Sequence, residues 1–180
     1  TEAYLGVAAF AMSVRRLQGN LGGLDSSRGL SVIMRYTLRL LTLQQFQRAS
    51  ALICALEVIR RTNSQKWGSC PFTIGLWVGQ KSTPNTTEES ANAIQARRDG
   101  RHSGTSTPAQ LTTCPWCGSE IFDGRDIDVR KDIGRTIIYC GDKHSICDFS
   151  KGKAAGEGLP VVVVDEEIYR RPPSMLIATV

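Results

Sequence analysis

The sequence contains no run of apolar residues that approaches the ~20 residues of a membrane-spanning helix, so we expect no membrane association. Histidine is scarce, at two residues, and no arrangement of serine, cysteine and histidine indicates nucleophilic catalysis. Aromatic residues make up 7% of the chain, and its three tryptophans are more typical of core packing than of base stacking. The chain has no signal-like start, which favours a cytoplasmic location.

Length and composition allow one sizeable domain, or one domain that carries a small insertion. The chain has 180 residues, of which 41% are hydrophobic, enough for a genuine core. Its net charge of +5 favours a polyanionic partner, but only weakly, because 17 acidic residues are interspersed among the basic ones. A solvated basic surface without a partner fits the same numbers.

Four cysteines form the most specific pattern in the chain, as Cys114-Pro-Trp-Cys117-Gly and Cys140-Gly-Asp-Lys-His-Ser-Ile-Cys147. A Cys-x2-Cys turn directs two thiolates at one ion, and a second pair completes the tetrahedron that zinc prefers. Four thiolates leave no coordination position for water, which indicates a structural site. The pattern therefore predicts a structural Zn²⁺ held by Cys114, Cys117, Cys140 and Cys147.

Two alternatives to this ligand set remain open from the sequence. Disulfides would need an oxidising compartment, and Cys54 and Cys70 would still be unpaired. His144, four residues after Cys140, also has a spacing that reaches a metal. We favour Cys147 as the fourth ligand, with His144 in a solvated loop, because four thiolates are the commoner solution in zinc ribbons.

Hydrophobic periodicity predicts alternating helices and strands. Helices are expected over residues 1–18, from a cap at Thr42 to Arg61, and over 88–98. Strands are expected over residues 31–37, 72–78, 135–139, 161–164 and 175–179. This alternation predicts an α/β fold, a parallel sheet with flanking helices. The cysteine module interrupts the alternation and is expected to be an insertion.

The predicted organisation is a partial RecA-like sheet split by that insertion. The segments are residues 1–80 for the first part of the lobe, 81–110 for a linker rich in Ser, Thr, Asn and Arg, 111–150 for the zinc ribbon, and 151–180 for the return to the lobe.

Several segments resemble the N-terminal RecA-like lobe of superfamily-2 helicases. Thr1-Glu2-Ala3-Tyr4-Leu5-Gly6 resembles the continuation of a nucleotide-binding P-loop, and the segment Arg35 to Phe46 resembles motif Ia. Leu176-Ile177-Ala178-Thr179-Val180 resembles the strand of motif Ib. The resemblance assigns Thr1 to the Mg²⁺ of bound ATP, and Thr37, Arg39, Gln45 and Thr179 to nucleic acid. A capped terminal helix and an ordinary strand with exposed charges are the alternative interpretations.

Together with the Cys-Pro-Trp-Cys-Gly insertion, these segments resemble the DrmA-type helicase-like proteins of bacterial DISARM antiphage systems. The resemblance implies an ATP-dependent DNA helicase or translocase with a partner subunit, of which this chain is a piece that should not hydrolyse ATP alone. The alternative is a non-enzymatic zinc-ribbon module that binds nucleic acid or protein.

The run Val161-Val162-Val163-Val164-Asp165-Glu166-Glu167 has the local appearance of a Walker B strand, whose carboxylates hold Mg²⁺ and position water. Order along the chain argues against this, because a Walker B strand should follow the strand of motif Ib and here precedes it. We therefore expect that Asp165 and Glu166 are not the ATPase carboxylates.

Overall fold

The computed structural model describes residues 2–37, 39–79, 81–101, 104 and 106–179, without the side chains of Leu21, Arg39 and Leu40. The helices are α1 (Glu2–Leu17), α2 (Arg39–Thr62), α3 (Ser64–Trp67), α4 (Thr87–Arg98), α5 (Asp123–Asp126) and α6 (Asp165–Arg170). The strands are β1 (Asn20–Leu21), β2 (Leu24–Asp25), β3 (Val32–Tyr36), β4 (Ile74–Trp77), β5 (Ile127–Arg130), β6 (Arg135–Ile138), β7 (Val161–Val162) and β8 (Met175–Thr179).

A four-stranded parallel sheet in the order β3-β8-β4-β7 forms the centre of the fold. Two antiparallel pairs, β1–β2 and β5–β6, lie outside it. The parallel sheet with flanking helices confirms the α/β class, and β8 spans the residues that the sequence predicts. None of the helices described in the structure combines the length and apolarity needed to cross a membrane.

The helix α2 covers one face of the sheet because its apolar residues recur every three or four positions. Phe46, Ala49 and Ile53 are fully buried and share one core with Ile74 of β4 and Ile177 of β8. The predicted cap at Thr42 is wrong, because α2 begins at Arg39 and Thr42 lies within its first turn. Arg and Leu are good helix formers, so the helix extends back towards the end of β3.

The segment 81–110, predicted as a linker with a helix over 88–98, contains α4. Thr86 caps this helix by accepting a hydrogen bond from the backbone N–H of Glu89 at 3.1 Å. Ser90 is fully buried and forms a 2.8 Å hydrogen bond with Thr136 of β6, and Ile94 packs in the core. The helix α4 thus packs on the β5–β6 hairpin, and its polar composition reflects contacts made through hydroxyls.

Candidate metal centre

The structure brings the four predicted cysteines together. Their sulfur atoms all lie within 4.8 Å of one another. The Cys114 and Cys147 sulfurs are 4.0 Å apart, and those of Cys117 and Cys140 are 3.3 Å apart. A tetrahedral zinc with Zn–S bonds of about 2.3 Å requires sulfur separations of about 3.8 Å. Four cysteines at these separations can therefore surround one ion.

Cys114 and Cys117 lie in a tight turn that two backbone hydrogen bonds stabilise. The N–H of Gly118 donates to the carbonyl of Cys114 at 2.9 Å, and the N–H of Cys114 donates to the carbonyl of Ser119 at 2.8 Å. Gly118 has a φ of +80°, which side chains rarely adopt, so glycine closes the turn without strain. Both cysteines consequently point to the same side of the loop.

The second pair is positioned by a close backbone approach and by one carboxylate. A Cβ at Gly141 would lie 1.9 Å from the carbonyl oxygen of Glu120. The two segments can approach this closely only because residue 141 is glycine. The Asp142 carboxylate accepts hydrogen bonds from the N–H groups of His144, Ile146 and Cys147 at 2.8–2.9 Å. The bond from Cys147 is the chief reason that the pKa of Asp142 is lowered.

Asp142 therefore holds the loop that carries the fourth cysteine. An Asp in a loop often accepts hydrogen bonds from backbone amides a few residues ahead, as in an Asx-turn. The pattern Cys-Gly-Asp could therefore have indicated this role from the sequence. His144 is exposed, as predicted, and lies outside the group of sulfurs.

Burial makes ionisation of most of these thiols costly unless a cation is bound. Burial raises the pKa of the Cys114 thiol to about 12 and also raises that of Cys140. Burial opposes ionisation of Cys117 too, but its hydrogen bond with Ser119 and its contacts with the other thiols lower the pKa of this group to about 7. A thiol binds metal only after losing its proton, and a divalent cation offsets the cost of gathering four thiolates.

The cluster is anchored to α2. Phe149, fully buried, lies edge-on beneath Trp116 with ring centres 6.2 Å apart, and the guanidinium of Arg61 stands 5.1 Å from the Phe149 ring. Gln47 donates to the carbonyl of Thr113 at 3.2 Å. Three of the four cysteines belong to the same buried core as Ile53. The cysteine module and the sheet therefore share one core.

Two of the residues assigned to nucleic acid meet at one edge of the sheet. Tyr36 is paired with Thr179 in the parallel register, so Thr37 lies one residue beyond the position opposite Thr179, at the carboxyl ends of β3 and β8. Gln45 is half-buried in the second turn of α2. Arg39 opens α2, but its side chain is outside what the structure describes, and Thr1 lies outside the described residues.

The three acidic residues after β7 each contact a different part of the fold. Asp165 accepts from the indole N–H of Trp77 at 3.1 Å. Glu166 accepts from the backbone N–H and the hydroxyl of Thr87, at 2.9 and 3.0 Å. Glu167, buried, accepts from the N–H of Thr136 at 3.0 Å. These contacts tie α6 to β4, α4 and β6.

The fold and the cluster define an α/β chain with a four-cysteine group of metal-binding type. No protein-family model matches it. Among curated proteins it is similar to the DISARM protein DrmA of Bacillus paralicheniformis, with 35% identity over 189 aligned residues that include all of this chain. The chain spans 16% of the length of that relative.

Proposed function

We propose that this chain is part of an ATP-dependent DNA helicase or translocase that acts in antiphage defence in the cytoplasm, together with a partner subunit. The similarity to a DISARM protein over the whole chain supports the defence role. The helicase assignment rests chiefly on one observation: Thr37 and Thr179, which resemble motif Ia and motif Ib residues, lie on neighbouring strands at the carboxyl edge of the sheet, offset by one residue in the register.

That edge suits contacts with a nucleic-acid backbone. Ligands of open parallel sheets bind at the carboxyl ends of the strands. The hydroxyls of Thr37 and Thr179 and the N-terminal amides of α2 supply donors for phosphate oxygens there, and Arg39 supplies a positive charge. Phosphates contacted at this edge would be held without regard to base sequence, as a translocating protein requires. ATP and Mg²⁺ would bind in the complete protein, with Thr1 on the metal ion.

We further propose that Cys114, Cys117, Cys140 and Cys147 bind one structural Zn²⁺. The donor set fits, since four sulfurs within 4.8 Å of one another leave no place for a water ligand. The ion would hold the two halves of the segment 111–150 together and fix this segment against α2. The chain then returns to the sheet at β7. Residues 1–80 and 151–180 would then form one lobe around the inserted ribbon.

The DNA edge is tested by Arg39→Ala in the full-length protein. One lost phosphate contact should weaken DNA binding and reduce the slope of log affinity against log salt by about one unit. The matched control is Arg28→Ala, because Arg28 lies exposed before β3, at the other end of that strand. Affinity and salt slope should be measured by fluorescence anisotropy. Equal values for Arg39→Ala and the parent, with the fold intact, would refute the motif Ia assignment.

The acidic run is tested by Glu166→Gln in the full-length protein. A true Walker B carboxylate acts in the transition state, and replacing it costs orders of magnitude in turnover. Glu166 instead caps α4 through Thr87, so we expect ATP hydrolysis within a few-fold of the parent. Glu88→Gln, which neutralises an exposed carboxylate of α4, is the control. A near-abolished rate with ATP affinity retained would show that the carboxylate is catalytic.

A further inference from the structure

A cavity of about 510 Å³ lies at the amino edge of the parallel sheet, where the chain enters β4 and β7. Thr73 and Pro160, which directly precede those strands, form part of its wall. The C-terminal half of α2 and the return segment 153–160 form much of the rest. It therefore lies at the opposite end of the strands from Thr37 and Thr179. Its size is within the 300–1,000 Å³ typical of small-molecule sites.

Positive charge dominates the lining of this cavity. The lining includes five cationic side chains and two carboxylates: Arg60, Arg61, Arg135, Lys153 and Arg171 against Glu57 and Glu157. Two further carboxylates contact the cations from outside the lining, Glu167 on Arg135 and Asp148 on Lys153. The cations still outnumber the carboxylates, so the cavity should attract an anion.

Some of these cations already form ion pairs within the fold. Glu57 is 1% exposed, and its carboxylate binds Arg60 at 2.7 and 2.8 Å and Arg61 at 2.9 Å. It also accepts from the backbone N–H of Phe72 at 3.1 Å. Its hydrogen bonds to the arginines outweigh the effect of burial, so the pKa of Glu57 is lowered and the carboxylate stays ionised. The network fixes the positions of Arg60 and Arg61 at the wall.

Other donors remain available. Arg135 uses Nε and Nη1 on Glu167 and Glu157, at 3.4 and 3.2 Å, and its Nη2 has no hydrogen bond to any residue that the structure describes. Arg61 donates from Nε to Glu57 and from Nη1 to the carbonyl of Asp148, and its Nη2 also has no hydrogen bond to the described residues. Arg171 is exposed at the rim, and its guanidinium has no hydrogen-bond partner within the described parts of the chain. Three guanidinium groups thus have unused N–H groups near one cavity.

We propose that this cavity binds a phosphate group, through the unused N–H groups of Arg61, Arg135 and Arg171. Guanidinium groups match phosphate oxygens in charge and geometry, and Arg61 and Arg135 are partly buried, which strengthens such contacts. The phosphate would belong to a nucleotide or to a nucleic-acid backbone. The site is separate from the proposed DNA edge, so either proposal can fail without the other.

The test is isothermal titration calorimetry on the zinc-loaded chain with inorganic pyrophosphate. Arg171→Gln should weaken pyrophosphate binding about tenfold, the loss of one charge-assisted hydrogen bond. Because Arg171 makes no side-chain hydrogen bond to the described residues, this variant should keep the parent melting temperature. A second variant, Ser69→Glu, adds a carboxylate to the lining and should weaken binding as well. Lys143→Gln, which removes an exposed cation outside the cavity, should leave binding unchanged.

Two further titrations identify the source of the phosphate. If metal-free ATP binds more tightly than pyrophosphate and a twelve-nucleotide oligothymidylate does not, the site takes a nucleotide. If the oligonucleotide binds more tightly and Arg171→Gln lowers its affinity, the site takes a nucleic-acid backbone. The proposal would be overturned if no probe binds at millimolar concentration. It would also be overturned if Arg171→Gln and Lys143→Gln lower the affinity for pyrophosphate equally.

Discussion

Replacing Cys140 with serine should release the zinc and disorder the segment 111–150. Structural zinc in small modules supplies about 10–16 kcal/mol of apparent binding energy, and a serine hydroxyl does not replace a thiolate ligand. Native domains are stable by about 5–15 kcal/mol, so losing the ion removes an amount as large as the whole stability. The cluster shares its core with Ile53 of α2, so we expect the sheet lobe to be destabilised as well, though less than the ribbon.

Metal content and a thermal melt check this prediction. Cys70→Ser is the matched control, because Cys70 is half-buried and lies outside the group of four sulfurs. It should keep one zinc and a melting temperature near that of the parent. If Cys140→Ser keeps its metal, or if Cys70→Ser loses metal to the same degree, the assigned ligand set is wrong.

Gly141→Ala should destabilise the chain by about 3 kcal/mol, the upper end of what overpacking costs. The added Cβ would lie 1.9 Å from the carbonyl oxygen of Glu120, a backbone atom that cannot move as a flexible side chain can. The two segments must separate, which also displaces Cys140 and Asp142. We therefore expect weaker zinc affinity as well as a lower urea midpoint.

Gly6→Ala is the control for this substitution. Gly6 lies within α1, and a Cβ there would meet no described atom within 4 Å apart from its chain neighbours and the nearby backbone of the helix. Alanine in a helix is about 1 kcal/mol more favourable than glycine, so this variant should be at least as stable as the parent. A Gly141→Ala protein with unchanged midpoint and zinc affinity would show that the approach of residues 120 and 141 does not constrain the site.

The sequence was sufficient for the four strands of the parallel sheet, for β6 and for the cysteine group, because each depends on a local pattern, whereas β1, β2 and β5 were not predicted. Met175–Thr179 is a short apolar run preceded by Pro and Ser, and such a run indicates a buried strand. The cysteines follow ligand spacing, which brings Cys114, Cys117, Cys140 and Cys147 within reach of one ion. The α/β class followed from the alternation of helices and strands, which the parallel sheet confirms.

Other features depend on contacts between distant segments and could not be read locally. The helix α4 is polar along most of its length, and Ser90 became recognisable as an interior residue only through Thr136. The partners of Asp165 and Glu166, Trp77 and Thr87, lie 88 and 79 residues away along the chain. The cavity at the amino edge likewise assembles arginines from α2, β6 and the segment after α6.

The most direct test of this account is X-ray absorption at the zinc edge, with quantitative metal analysis, on freshly purified protein never exposed to chelator. We expect one zinc per chain with four sulfur neighbours at about 2.3 Å. Less than half an equivalent of zinc, or a coordination shell that includes nitrogen or oxygen, would contradict a structural site formed by Cys114, Cys117, Cys140 and Cys147.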